Sequence, residues 1–177
     1  MFTWIWVYMD WSRHRGCKNI FVALKQRLKD IHLQEWMSSI LNNRRLETYS
    51  QFKSLLNMEL YLTVVSNVRY KVSLARLRCS SHGLEIEKGR HKNIHRTHRY
   101  CNYCLRHGEA IVENEYHFIM ECPLYDDLRD EYFSKLGRFS FIFLMSNNNP
   151  LTLNSLAAFV YHAFSRRYGY LVCLFIY

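Results

Sequence analysis

"CNYCLRHGEAIVENEYHFIMEC", residues 101–122, carries three of the chain's six cysteines and two of its nine histidines. How this stretch is read decides the fold. Cys101-x2-Cys104 is one hairpin-like pair of ligands, and His117-x4-Cys122 is a second pair after twelve intervening residues. A tetrahedral zinc site favours such pairs, because each fixes two coordination positions with little loss of chain entropy. Thiolate sulfur at ~2.3 Å and imidazole nitrogen at ~2.0 Å are what zinc accepts. Gly108 supplies a turn between the pairs, and no competing thiol intervenes. The bland alternative is three small buried cysteines beside a core histidine. Two ligand pairs at these gaps are harder to obtain by chance than one CxxC. Four protein ligands leave no open position for water, so the spacing predicts one Zn2+ with a structural role. His107 is a rival to His117, but its three-residue reach from Cys104 is awkward for closing a four-ligand ring.

Outside this stretch the composition is that of a globular chain. It has 177 residues, 49% of them hydrophobic and 16% aromatic. A chain of this length buries roughly 70% of its unfolded surface, so a core is feasible without help. Six glycines and two prolines are few for a fold of many turns. The expected class is mainly α, a small helical domain organised around the CCHC zinc site, with few or no strands. Segments are expected at 1–19 (ill-defined), 20–66 (helical flank), 67–137 (basic helix plus zinc module) and 138–177 (C-terminal helical segment).

Charge is unevenly placed on a chain of formal net charge +9. Residues 69–107 hold ten Lys/Arg against Glu85 and Glu87, whereas residues 108–131 hold eight acids against Arg129 alone. A basic segment of this density is the usual footprint of a polyanion, here RNA or DNA with weak sequence preference. Its candidate phosphate contacts are Arg69, Arg76, Arg78, Lys88, Arg90, Lys92, Arg96 and Arg99. Tyr70, Tyr100 and Tyr103 interleave with them and suit either base stacking or packing beside the zinc site. A solvated face, or a surface docked on the acidic stretch of this or another chain, is the competing reading.

The cysteines outside the cluster, Cys17, Cys79 and Cys173, stand alone and read as small core residues. "MFTWIWVYMD" has no basic start and meets Asp10 after nine residues; with "LVCLFIY" it is too short to span a bilayer. The expected setting is reducing and intracellular, nucleus or cytoplasm, and not secreted.

Along the chain, "FVALKQRLKDIHLQEWMSSIL" reads as one or two short helices. "RRLETYSQFKSLLN" places Leu46, Tyr49, Phe52, Leu55 and Leu56 at helical spacing. In "NVRYKVSLARLRCSS", Val68, Val72, Ala75 and Cys79 form a narrow apolar stripe flanked by Arg69/Arg76 and Lys71/Arg78, an amphipathic helix with basic shoulders. Residues 80–98 read as a loop or short extended segment. Pro123 starts a helix whose first turns hold acids and which stops at Gly137. The last helix is capped by Asn149, starts at Pro150, buries Leu153, Leu156, Val160, Ala163 and Phe164, and runs until Gly169.

Two apparent sites are decoys on chemical grounds. "LYDD" at 124–127 is similar to a polymerase carboxylate pair in letters alone; those acids come after a proline at a helix start, where they favour the dipole. His91, His95 and His98 lie among Lys92, Arg96 and Arg99 and read as basic surface rather than as a second metal site. No nucleophile–base set stands out, so no enzyme activity is expected.

Taken with the residues C-terminal to it, the cysteine stretch, "CNYC…ENEYHFIMECPLYDDLR", resembles the C-terminal zinc-binding region of non-long-terminal-repeat retrotransposon reverse transcriptases. "LARLRCSSHGLEIEKGRHKNIHRTHRYC" is similar to the stretch preceding that motif, and the resemblance extends over roughly residues 20–168. It implies a CCHC ligand set of Cys101, Cys104, His117 and Cys122, and nucleic-acid engagement during target-primed reverse transcription in a module separate from the polymerase. The chain carries neither a polymerase nor an endonuclease domain, which makes it a fragment or remnant of such an open reading frame under this reading.

Overall fold

A computed structural model describes the backbone of residues 15–174 and the side chains of residues 19–169. The readings made for both apolar ends, Cys17 and Cys173 lie outside the described side chains. Among the described residues the regular structure is helical, with no strand and one isolated antiparallel bridge between Tyr100 and Val112. The chain divides into two compact units, Met1–Asn42 and Asn43–Tyr177.

In the first unit a single helix, α1 (Arg15–Leu41), forms where one or two short helices were expected. No glycine or proline falls between Cys17 and Leu41, so nothing in the backbone chemistry breaks it. Val22, Leu24 and Leu28 are exposed along it.

The second unit opens with a 3-10 turn at Arg44–Leu46, capped by Asn43, whose Oδ1 accepts the Arg45 amide at 3.0 Å. Helices α2 (Glu47–Ser50), α3 (Tyr61–Val64), α4 (Val68–Arg78), α5 (Glu85–His91), α6 (Asn102–Arg106), α7 (Asp126–Phe133), α8 (Phe141–Ser146) and α9 (Pro150–Leu174) come next in order. Helical spacing through Leu56 is not realised. The helix ends at Ser50, and Lys53 bends the chain by donating to the Asn57 carbonyl at 2.8 Å and its side-chain oxygen at 2.6 Å. Leu55 and Leu56 are exposed there.

Helix α9 is the centre of the unit and packs chiefly against α4 and α7. Asn149 caps it as expected, accepting the Leu151 amide at 2.8 Å. Leu153, Leu156, Val160, Ala163 and Phe164 are all buried. Gly169 does not end the helix, which runs on to Leu174. Around α9, Phe118 stacks on Phe164 (4.8 Å between centroids) and meets Tyr125 edge-on at 5.0 Å, while Phe133 lies 4.7 Å from Phe159.

Two further expectations are corrected. The buried face of α4 is Leu74, Leu77 and Arg78, whereas Val68, Val72 and Cys79 are exposed. Contact with α9 sets this rotation: Tyr70 packs 5.1 Å from Tyr161 and hydrogen-bonds His162 across 3.2 Å. Residues 80–98 are not a loop, because α5 and a 3-10 turn at Arg96–His98 form within them. Gly89 sits inside α5 because the Arg99 side chain crosses there; a Cβ would meet Arg99 Cγ at 2.5 Å.

Candidate metal centre

The ligands are placed by local backbone chemistry. Cys101 is the residue before α6 and Cys104 lies one turn on. Helix α6 then closes with a Schellman pair: the Glu109 amide donates to the Cys104 carbonyl at 2.9 Å and the Gly108 amide to the Leu105 carbonyl at 3.2 Å. Gly108 takes φ +89°, the left-handed turn that glycine makes without strain. The returning strand-like segment is zipped to the entry, with the Cys101 amide on the Ile111 carbonyl (2.8 Å) and the Glu113 amide on the Arg99 carbonyl (2.9 Å). Asn114 then caps a helical turn through the His117 amide at 2.7 Å. That turn widens to a π-helix over His117–Glu121, closed by the Cys122 amide on the His117 carbonyl at 2.8 Å. The wide turn lets residues five apart converge.

As a result Cys101, Cys104, His117 and Cys122 are all buried, and their ligand atoms lie within 4.8 Å of one another. Sulfur–sulfur distances are 3.8 Å (Cys101–Cys122) and 4.0 Å (Cys104–Cys122), and Cys104 Sγ is 3.4 Å from His117 Nε2. A tetrahedral zinc ion with ordinary thiolate and imidazole bond lengths has sulfur–sulfur edges of ~3.8 Å and sulfur–nitrogen edges of ~3.5 Å. The three distances are close to those of that polyhedron, and the widest separation in the cluster, up to 4.8 Å, would tighten around an ion. His117 Nε2 faces the sulfurs. Its buried Nδ1 has no aligned partner but lies 3.4 Å from Glu121 Oε2, where a carboxylate would orient a ligating imidazole.

The electrostatics also call for a cation. Bonding from Cys122, working against burial and aided by His117 and the Cys104 amide, brings Cys101 down to about 3. Burial and the charge on Cys101 push Cys104 up to about 12; the bond with Cys101, together with burial, raises Cys122 as well. Burial alone would lower His117, but Cys101 and Glu121 raise it. Three buried thiols cannot all ionise side by side without a counter-charge, which a bound dication would supply. Such an ion would supply cross-linking rather than reactivity.

His107 is exposed and outside the cluster, with Nδ1 2.8 Å from the Tyr103 carbonyl oxygen. His91, His95 and His98 are exposed and form no ligand group among the described residues. Asp126 pairs with Arg129 and Asp127 with Arg166, so the "LYDD" acids are occupied by ion pairs.

The eight cations expected to meet phosphate divide by environment. Arg69, Arg76 and Lys92 are exposed without a side-chain partner among the described residues. Lys88 pairs with Glu85, Arg90 with Glu87 and Arg96 with Glu47. Arg99 is half-buried and donates to the carbonyls of Ile94 (3.0 Å) and Ile86 (2.7 Å). Arg78 is 4% exposed, bonded to the Met145 carbonyl and Glu59, with its guanidinium 4.4 Å from the Phe52 ring centre. It belongs to the core. None of the eight pairs with the acidic stretch 109–131 among the described residues. Glu113 of that stretch instead meets Arg167, Asp127 meets Arg166, and Glu115 meets His82 at 3.0 Å. The Arg44–Arg45 and Arg166–Arg167 doublets carry structural and surface charge that lies outside the basic-segment reading. A paired-arginine pattern is the available signal.

Together these features define a small, mainly α-helical domain with a buried three-cysteine, one-histidine cluster positioned to hold one metal ion. No protein-family model, curated protein or solved structure matches the chain. The resemblance to the retrotransposon zinc region therefore rests on the residues quoted for it. Among the described residues, no helix is long and apolar enough to cross a membrane.

Proposed function

We infer that the chain is a zinc-organised nucleic-acid-binding module derived from a retrotransposon reading frame, with no catalytic activity of its own. The buried Cys101/Cys104/His117/Cys122 tetrahedron carries this reading. Three sulfurs and one nitrogen at tetrahedral spacing select zinc over the harder, oxygen-seeking cations. Saturation by protein ligands makes the ion structural. Binding of RNA or DNA is supported by Arg69, Arg76 and Lys92, which reach solvent unpaired, and by Lys88 and Arg96, whose surface ion pairs exchange readily for phosphate. Arg90 is half-buried and paired with the buried Glu87. Arg78 and Arg99 act through the fold.

The test is fluorescence anisotropy of zinc-loaded protein with RNA, single-stranded DNA and duplex DNA at several salt concentrations. If about five cations meet phosphate, affinity for single strands falls with a log–log salt slope of about −3.5, from ~0.7 per contact. Absence of binding at low salt by folded, zinc-loaded protein refutes the reading and leaves a zinc-stabilised protein-interaction or structural module.

A further inference from the structure

A second feature is built from segments far apart in sequence. The 44–46 turn, α5 and the 95–99 segment enclose a cleft of about 340 Å³ lined by Arg44, Arg45, Arg90, Arg96, Arg99 and His95. Its acids are Glu47, Glu87 and Glu115. Five guanidinium groups against three carboxylates leave a surplus of two positive charges, with His95 taken as neutral. Like charges are not gathered into one concavity without cost, and the wall here is visibly assembled for it. Arg99 is laid across Gly89, which has no side chain to obstruct it, and is pinned by the carbonyls of Ile94 and Ile86. Arg45 is anchored by Nε on the Ser80 carbonyl at 3.1 Å. Glu87 holds Arg90 through two bonds of 3.1 and 2.8 Å and lies 3.8 Å from Arg45. Glu115 is turned inward to His82, Ser80 and Thr48. Arg44 has no side-chain partner among the described residues.

We propose that this cleft is a phosphate-binding site that seats the backbone of a nucleic-acid strand, with Arg44, Arg45, Arg90 and Arg96 as ligands and Arg99 as a positioning residue. Arginine forks match phosphate oxygens bidentately, and the anion neutralises the surplus charge. The volume lies at the small end of ligand sites, ~300–1,000 Å³, which suits a sugar–phosphate unit. The polymer as ligand rests on the nucleic-acid function proposed for the chain; the phosphate chemistry does not.

The experiment uses the full zinc-loaded chain and the variants Arg44→Gln and Arg44→Gln/Arg45→Gln, with zinc content and helicity as controls. Anisotropy with a single-stranded oligonucleotide is expected to show the salt slope shallower by about 0.7 for the single and about 1.4 for the double variant. In parallel, inorganic phosphate is titrated while the arginine Nε–H signals are followed by NMR. Parent protein that binds the strand, with Arg44→Gln unchanged in slope and affinity, overturns the cleft while leaving nucleic-acid binding intact. Phosphate shifts in the arginine signals that vanish in the double variant, without strand binding by the parent, uphold the cleft and sink the nucleic-acid reading. If the double variant loses its fold, Arg44→Gln alone decides, since that side chain anchors nothing. Neither strand nor phosphate binding overturns the site outright.

Discussion

Arg167→Met is expected to be among the most damaging single substitutions in the second unit, although the residue belongs neither to the metal cluster nor to the arginine cleft. Arg167 and Glu113 are each 3% exposed and joined by two parallel bonds, Nε to Oε1 at 2.8 Å and Nη2 to Oε2 at 2.5 Å. Oε2 also accepts the Glu85 amide at 2.6 Å, and Nη2 reaches Glu85 Oε1 at 3.3 Å. This pair ties α9 to the segment leading from the bridge into the metal-binding turn. Burial pushes the Glu113 carboxyl above the usual carboxylate range against the pull of Arg167, while the bonds to Glu113 hold Arg167 up. The two directions favour opposite states of Glu113. Geometry decides for the ion pair, because the guanidinium fork meets both carboxylate oxygens at once in the parallel two-bond arrangement that favours the charged forms. Removing the arginine strands a buried carboxylate, which costs about 3–5 kcal/mol. For a unit of this size that is a fall in melting temperature of about 6–20 °C, at 2–4 °C per kcal/mol. Glu113 sets the sign of the pH dependence. In the variant burial without the arginine holds its folded-state pKa above the unfolded ~4.3. The deficit is therefore absent below the unfolded value, grows as pH rises and levels off above the folded value. Arg167→Met/Glu113→Leu should regain most of the loss, short of about 1 kcal/mol for the orphaned Glu85 amide. The assay is urea unfolding of zinc-loaded protein monitored by helicity. An Arg167→Met deficit below about 1 kcal/mol, or strict additivity in the double variant, would refute the reasoning.

Three further outcomes are expected. His117→Ala abolishes stoichiometric zinc in a colorimetric release assay, whereas His107→Ala retains it, because only His117 presents a ring nitrogen to the sulfurs; equal retention would overturn the ligand set. Gly89→Ala, read by chemical denaturation, destabilises by about 1–3 kcal/mol through overpacking against Arg99, and pairing it with Arg99→Ala removes most of that cost. Asp127 has its pKa lowered by its bond from Arg166, so its contribution is present above the unfolded pKa and is lost as pH falls through the folded one; in Arg166→Ala its NMR titration should move up toward ~3.9, and an unmoved midpoint disproves the pairing.

What the amino-acid order discloses, and what it hides, divides along the range of the forces involved. The gathering of Cys101, Cys104, His117 and Cys122 and the course of α9 are readable because their determinants are local: a CxxC turn, a glycine that can take positive φ, a capping asparagine ahead of a proline, an apolar repeat of helical period. The face of α4 is misread from pattern because both sides of that helix carry apolar residues, and only its contact with α9 chooses Leu74 and Leu77 over Val68 and Val72. Arg78 looks like another surface cation for the same reason. Its two hydrogen-bond partners, Glu59 and the Met145 carbonyl, lie 19 and 67 residues away in sequence. Helix α5 is hidden by Gly89, ordinarily a breaker, whose absent side chain is required by the crossing Arg99. The metal cluster stands where these two kinds of information meet. Cys101, Cys104 and Cys122 are at once members of the cluster positioned to hold a metal ion and of the core cluster containing Phe118, Tyr125, Phe159 and Phe164. An ion bound there would let locally encoded ligation fix the register of a non-local core. Loss of the ion should loosen the aromatic packing against α9 as well as the 101–122 turn, so chelation is expected to dim the near-ultraviolet circular dichroism of those rings together with zinc release. Retention of that signal in fully metal-free protein would show that the core holds its register without the ion.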